Sequence, residues 1–229
     1  MRKKQLAFVM APAVAIALSS AASADLIYDN GGPDGVSGLS NIFGGGFGAD
    51  RQVADDFILP GGPGWIVENV EMNYIFGGGI WWGASDYRVT FYADDAGGGP
   101  GTIVSDQVSS SFTETPTGNT FFGRPEVISS IDIAPVSLAA DTTYWMAIQP
   151  TATSNGFQLT SATGARNLNG DQVWVRYPKF GFPDYVPGNV VFSEFHDVVF
   201  RLNGEAVPAP GALALLGFAG ILGLRRRRR

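Results

Sequence analysis

The sequence predicts an all-β protein whose body, residues 25–206, is an antiparallel β-sandwich of jelly-roll type. Apolar and polar side chains alternate with a period of two along several segments, as in strands that bury one face. Clusters of glycine and proline separate these segments and favour tight turns. No segment of the body keeps the 3.6-residue period of an amphipathic helix. We expect about eight to ten strands in one domain.

Five segments show the alternation most clearly. In each, the side chains that we expect to face the core lie two positions apart along the chain. They are Val70, Met72, Tyr74 and Phe76; Val89 and Phe91; Tyr144, Met146 and Ile148; Val173 and Val175; and Val198, Phe200 and Leu202. Burial of one face only is typical of antiparallel sheets that pack face to face.

The connections between these strands are rich in glycine. We interpret residues 44–46, 61–64, 77–79 and 97–101 as turns, because glycine adopts the positive φ angles that turns require. Asp94 and Asp95, just before the last of these, predict a hairpin turn in which an aspartate accepts hydrogen bonds from its own backbone. Residues 109–119 are polar and rich in serine and threonine, and we expect them to form a long exposed loop.

The N-terminal 24 residues have the three parts of a secretory signal peptide. A basic start is followed by an apolar run over residues 6–18 and then by small residues that suit a cleavage site. The basic residues are Arg2, Lys3 and Lys4, and the small ones are Ala22, Ser23 and Ala24. The mature chain is expected to begin at Asp25. An uncleaved membrane anchor is the alternative interpretation of the same run.

Residues 207–229 also fall into three parts, in a fixed order. A short motif, an apolar run over residues 211–224 and a basic cluster follow one another. The motif is Val207, Pro208, Ala209 and Pro210, and the cluster is Arg225, Arg226, Arg227, Arg228 and Arg229. As a helix the run would span roughly 21 Å, less than the ~30 Å hydrocarbon core of a bilayer. We therefore predict a short hydrophobic helix that inserts transiently, with the arginines on the cytoplasmic side.

This tail resembles the PEP-CTERM sorting signal of bacterial surface and exopolysaccharide-associated proteins. In that family the third motif position is usually glutamate, whereas this chain has Ala209, so the processing site is left open. The body is similar to β-rich domains that accompany such tails, through residues 54–57, 144–148 and 199–202. The resemblance implies that a membrane exosortase processes the tail and that the body reaches the cell surface or extracellular matrix. The resemblance indicates where the protein goes and not what it does; for the body itself we predict a structural or adhesive role in that matrix.

Charge and cysteine content exclude several kinds of partner and chemistry. Three of the 15 basic residues lie in the N-terminal segment and five in the tail, so the body has seven basic and 21 acidic residues, a net charge of −14. Such a surface repels nucleic acid and anionic membranes. The charge either attracts divalent cations that bridge the body to acidic polysaccharide or serves solubility alone. The chain contains no cysteine, so neither disulfides nor thiolate chemistry is available.

The sequence offers little basis for catalysis. The single histidine, His196, is flanked by Ser193, Glu194 and Asp197, but a triad needs residues that converge in space rather than along one segment. No Gly-x-Ser-x-Gly motif is present. We therefore predict a non-catalytic protein. A secreted carbohydrate-binding or carbohydrate-hydrolysing protein is the alternative, since a glycosidase needs only two suitably spaced carboxylates.

Aspartates suggest one metal-binding hypothesis. Residues 29–35 have some similarity to a calcium loop but lack oxygen ligands at positions that the EF-hand requires. Asp55 and Asp56 are adjacent carboxylates, which in a strand would point to opposite faces. The hypothesis is a structural Ca²⁺ held by Asp29, Asp55 and Asp56, with no other cofactor.

Two tryptophans suggest a sugar contact. Trp81 and Trp82 follow three glycines, and exposed indole faces stack on the apolar C–H surfaces of sugar rings. The alternative is that one indole packs into the core and the other covers a sheet edge. Trp65, Trp145 and Trp174 lie in alternating segments and are expected to be structural.

Overall fold

The computed structural model of the chain describes residues 24–35, 38–40, 42–45, 49–76, 84–121, 123–152, 159–162, 172–192 and 197–208. These residues form fourteen strands, a 3₁₀ turn at Pro178–Phe180 and a short helix α1 at Gly188–Val191. The strands are β1 Asp25–Asp29, β2 Gly38–Ser40, β3 Ile42–Gly45, β4 Ala49–Ile58, β5 Trp65–Phe76, β6 Ala84–Asp94, β7 Pro100–Ser109, β8 Phe112–Phe121, β9 Arg124–Leu138, β10 Thr143–Ala152, β11 Leu159–Ala162, β12 Trp174–Tyr177, β13 Phe182–Pro187 and β14 Phe200–Ala206.

The strands form two seven-stranded sheets. In sheet I, the central strand β5 pairs with β9 on one side, and β9 pairs with β8. The other side of β5 pairs first with β14, which carries β1, and then with β11, which carries β2. Sheet II has the order β13-β12-β4-β3-β10-β6-β7, with β4 also paired to β10. Among the described strands, all pairs are antiparallel except a short parallel contact between β3 and β10, so the all-β antiparallel prediction is confirmed.

One hydrophobic core fills the space between the sheets. Both sheets contribute to it, and the predicted inward-facing residues of β5, β6, β10, β12 and β14 that the structure describes are buried there, with Tyr144 partly buried at its margin. Phe57 of β4 lies at its centre, with ring centroids of four aromatic residues 5.7 to 6.2 Å away. These are Tyr28, Phe91, Tyr144 and Phe200. The period-two pattern therefore predicted the core face correctly.

The prediction that only one face is buried is wrong for β10. Trp145 and Ala147, on the face opposite the core, are also fully buried, in a second cluster with Ala54 and Tyr92. Sheet II curls over this face. The curl brings the hydroxyl of Tyr185 on edge strand β13 to 3.3 Å from the hydroxyl of Tyr92 on β6. Strands that would be far apart in a flat sheet thus cover the second cluster.

The prediction of an exposed loop over residues 109–119 is also wrong. Strand β8 pairs with β9 from Phe112 to Phe121 and forms an edge of sheet I. Threonine is β-branched and favours strands, and an edge strand with one solvated face can be polar throughout. The loop interpretation followed polarity, whereas pairing with β9 decides the structure of this segment.

The hairpin turn predicted at Asp94 and Asp95 is confirmed. Asp95 Oδ1 accepts hydrogen bonds from the backbone N–H of Gly97, at 2.7 Å, and of Gly99, at 3.2 Å. Gly98 has a φ of 75°, which glycine adopts without strain. Within the described part of the chain, neither helix is long and apolar enough to span a bilayer.

Candidate ligand-binding cleft

A cleft of about 460 Å³ lies at one end of the core between the two sheets. Its walls come from β2, β4, β12, the 3₁₀ turn, β13 and the segment that includes α1. The lining includes Gly38, Arg51, Tyr177, Phe180, Phe182 and Phe192. The cleft is therefore predominantly aromatic, with one positive side chain.

A proline and a glycine position the aromatic residues. Pro178 begins the 3₁₀ turn, where its fixed φ is favourable. Gly181 ends it with a φ of 90° and donates its N–H to the carbonyl of Pro178 at 3.2 Å. Because the chain reverses within these few residues, Tyr177, Phe180 and Phe182 all contribute to the same cleft.

The aromatic side chains differ sharply in exposure. The Tyr177 ring is buried and makes edge contacts with Phe180 and Phe192, at centroid distances of 6.3 and 6.1 Å. Burial raises the pKa of Tyr177, against the opposing effect of the positive charge of Arg51, so its hydroxyl stays protonated at neutral pH. Phe180, in contrast, is 58% exposed. The cleft thus has a packed aromatic floor and an accessible aromatic ring at its opening.

Arg51 provides the charge of the cleft. It lies on the same face of β4 as Val53 and Phe57, at the end of the core, and is 9% exposed. Its guanidinium carbon lies 4.7 Å from the centroid of the Phe180 ring, a cation–π contact. The contact orients the ring and the guanidinium relative to each other, and it keeps a positive group beside the accessible aromatic surface.

Asp29, the first of the three proposed calcium ligands, lies at the end of β1. Its Oδ1 accepts a hydrogen bond from the N–H of Gly31 at 2.9 Å and lies 3.3 Å from Nε of Arg201. It thereby shapes the turn after β1 and pairs with β14.

Asp55 lies inside the core rather than at the surface. Its Oδ2 accepts hydrogen bonds from Nδ2 of Asn30 and from the N–H of Val198, both at 2.9 Å, and its Oδ1 accepts one from the N–H of Asp56 at 3.1 Å. Burial, followed by the charge of Asp197, raises the pKa of Asp55 well above its ordinary value. Asp56 is also buried, on the opposite face of β4, as the strand geometry predicted.

Among the described residues, no group of three histidine, cysteine, aspartate or glutamate side chains is placed to hold a metal ion. Several other predicted sites lie outside the described residues, namely Trp81, Trp82, His196, the signal-peptide residues 1–23 and all of residues 209–229. Of the tail motif, Val207 and Pro208 are described, and the N–H of Val207 donates to the carbonyl of Gly64 at 3.0 Å. Asp25, the expected first residue of the mature chain, begins β1.

The sequence analysis did not identify the cleft. One signal was available, since residues 177–182 contain three aromatic residues separated by a proline and a glycine. Such a segment cannot bury every ring in one sheet face, so an exposed aromatic was to be expected. The participation of Arg51, which belongs to a distant segment, had no signal in the sequence.

Fold and cleft together define the class of protein: a two-sheet, all-β protein with an aromatic cleft at one end of its core. No protein-family model, curated protein or solved structure matches the chain.

Proposed function

We propose that the chain is exported by an N-terminal signal peptide and sorted to the cell surface or extracellular matrix through its C-terminal tail. The observation that carries this proposal is the ordered arrangement of the motif at residues 207–210, the apolar run and the five terminal arginines. A membrane exosortase processes the tail, whose apolar run inserts transiently as a short helix. The small-residue site at Ala22 and Ala24 supports export from the other end of the chain.

The role that we propose for the body is structural or adhesive, within an exopolysaccharide matrix, and non-catalytic. A large core shared by two sheets supports a self-standing domain, and the net charge of −14 on residues 25–206 supports solubility outside the cell. We further propose that the two sheets follow a jelly-roll-like plan, since the chain repeatedly crosses from one sheet to the other, as from β4 to β5 and from β9 to β10.

Mass spectrometry of the chain's termini in its source cells tests the sorting proposal. We expect protein from the envelope or the medium to begin at Asp25 and to lack the terminal arginines. A matched variant with Arg225 to Arg229 all changed to Ser should keep the tail or lose its localisation, because the basic cluster orients the apolar run. Recovery of unprocessed wild-type protein from the cytosol would contradict the proposal.

The second candidate function is carbohydrate binding, and the aromatic cleft favours it. Exposed aromatic rings beside a polar group are the usual means of holding a sugar. Incubation of the secreted protein with exopolysaccharide, followed by co-sedimentation and by assay of reducing ends, separates binding from hydrolysis. We expect co-sedimentation without new reducing ends. If sugar is released, and substitution of one carboxylate abolishes that release, the hydrolase alternative is supported instead. A Trp81→Ala, Trp82→Ala double variant tests the sugar contact predicted at those two residues.

A further inference from the structure

We propose that the cleft binds a carboxylated sugar, such as a uronate residue of an acidic polysaccharide. Phe180 would stack on the sugar ring and Arg51 would bind its carboxylate. This inference rests on the carbohydrate-binding function proposed above and adds the class of sugar and the residues that select it.

The first argument is the exposure of Phe180. Phe180 is 58% exposed, although it makes an edge contact with the buried Tyr177, which packs in turn against Phe192. Its contact with Arg51 holds the ring at the cleft opening. A held, accessible ring loses little conformational entropy when a flat apolar surface stacks on it, which favours the C–H face of a pyranose.

The second argument is charge complementarity. Among the described residues that line the cleft, Arg51 alone is charged. A guanidinium has five N–H donors, so it can serve an acceptor of the protein and still bind another group. Its planar fork matches a carboxylate in a bidentate arrangement, and the low exposure of Arg51, 9%, strengthens that attraction relative to a guanidinium in water. An anionic sugar is therefore preferred over a neutral one, even though the body as a whole is acidic.

The third argument is size. The cleft volume of about 460 Å³ lies at the lower end of the range of small-molecule sites, which span roughly 300–1,000 Å³. It suits a mono- or disaccharide unit rather than a long segment of polysaccharide. The cleft would therefore engage one acidic unit of a polymer at a time.

The test compares two disaccharides that differ in one group. The acidic probe contains glucuronate, and the neutral probe has glucose in its place. Isothermal titration of the secreted, mature protein should show an affinity for the acidic probe at least about tenfold higher than for the neutral probe. The neutral probe lacks one charge-assisted contact, worth roughly 1.4 kcal/mol. The preference should weaken as salt is added.

Three variants assign the residues. Phe180→Ala should lower affinity for both probes by about tenfold or more, because it removes the stacking surface. Arg51→Lys keeps the charge but loses the planar fork, so it should reduce the preference for the acidic probe. Ile103→Ala, at a site on β7 as exposed as Phe180 but outside the cleft, is the matched control and should bind like the wild type.

Equal affinity for the two probes, absence of binding, or wild-type binding by Phe180→Ala would each overturn the inference. If Arg51→Lys does not fold, as near-UV circular dichroism would show, the probe comparison and Phe180→Ala still decide. The two proposals also fail separately. Correct termini without binding would reject only the cleft assignment, whereas binding by a protein that stays unprocessed in the cytosol would reject only sorting.

Discussion

The side-chain amide of Asn30 donates a 2.9 Å hydrogen bond to Oδ2 of Asp55, and both residues are fully buried. The same amide donates to the carbonyl of Val198, whose N–H donates to the same Asp55 oxygen. Three separate segments of the chain therefore meet at one carboxylate inside the core. A buried carboxylate is stable only with such partners, and burial still favours its protonated form.

We predict that Asp55→Asn makes the stability of the protein less dependent on pH. In the folded state, burial and the charge of Asp197 raise the pKa of Asp55 above its unfolded value of about 3.9. Between these two pKa values the folded state binds more protons, so the free energy of unfolding of the wild type falls as pH rises. One proton corresponds to a slope of up to about 1.4 kcal/mol per pH unit. Urea denaturation from about pH 4 to 7 measures this slope.

Asp184→Asn, which alters an exposed carboxylate, is the control and should keep the wild-type slope. The pKa of Asp106 is shifted the other way, because Arg88 lowers it, so that pair stabilises the protein more as pH rises from about 3 to 5. The wild type and Asp55→Asn both keep Asp106, so the difference between their slopes reports Asp55 alone. Equal slopes in the wild type and in Asp55→Asn would contradict the prediction.

Calcium removal should leave stability unchanged. The carboxylates of Asp29 and Asp55 already accept hydrogen bonds from the protein, and Asp29 also pairs with Arg201, so a cation would have to displace these partners. We expect urea unfolding in EDTA to have the same midpoint as in about millimolar calcium. A heat of calcium binding that Asp29→Asn abolishes would instead support the site predicted from the sequence.

Phe57→Ala should destabilise the protein by about 3–5 kcal/mol, because it leaves a cavity among four aromatic rings. The free energy of unfolding from urea denaturation measures the effect. Ile58→Ala is the matched control, since Ile58 is the next residue along β4 and is 49% exposed. We expect that control to change stability by less than about 0.5 kcal/mol. Similar losses in both variants would show that Phe57 is not at the centre of the core.

Gly99→Ala should destabilise the second cluster, because Trp174 packs against it with its ring centroid 6.1 Å from that of Trp145. A Cβ at residue 99 would lie 2.9 Å from ring atoms of Trp174, too close for a real contact. Overpacking of this kind costs about 1–3 kcal/mol, and it should also shift tryptophan fluorescence. Gly32→Ala is the control, because a Cβ there meets nothing within 4 Å. A Gly99→Ala variant as stable as the control would mean that the β6–β7 turn does not cover Trp174.

The alternation along β5 and β14 was readable because side-chain direction in a strand follows from the local backbone. Val70, Met72, Phe200 and Leu202 accordingly face the core as predicted. The turn at Asp95 was readable for the same reason, since its hydrogen bonds stay within four residues. Such features depend on neighbours in the chain.

The second buried face and the true position of Asp55 were not readable in this way. Trp145 is buried on its side of β10 because sheet II curls and brings Tyr185 near Tyr92. The strand geometry predicted that Asp55 and Asp56 face opposite sides of β4. No neighbouring residue in the sequence indicated that Asp55 is the one that faces the core and contacts Asn30. Both outcomes depend on strands that are distant in sequence.

By itself, the sequence determined three features: the body is built of strands, certain side chains of several strands point inward, and one hairpin turns at Asp95. Each of these features depends on short-range backbone geometry. Only the tertiary structure decided that residues 112–121 pair as an edge strand, that a carboxylate lies in the core, and that Arg51 lies against Phe180. These contacts form when the two sheets close on each other, and the residues that meet there carry no mark of their partners in the linear chain.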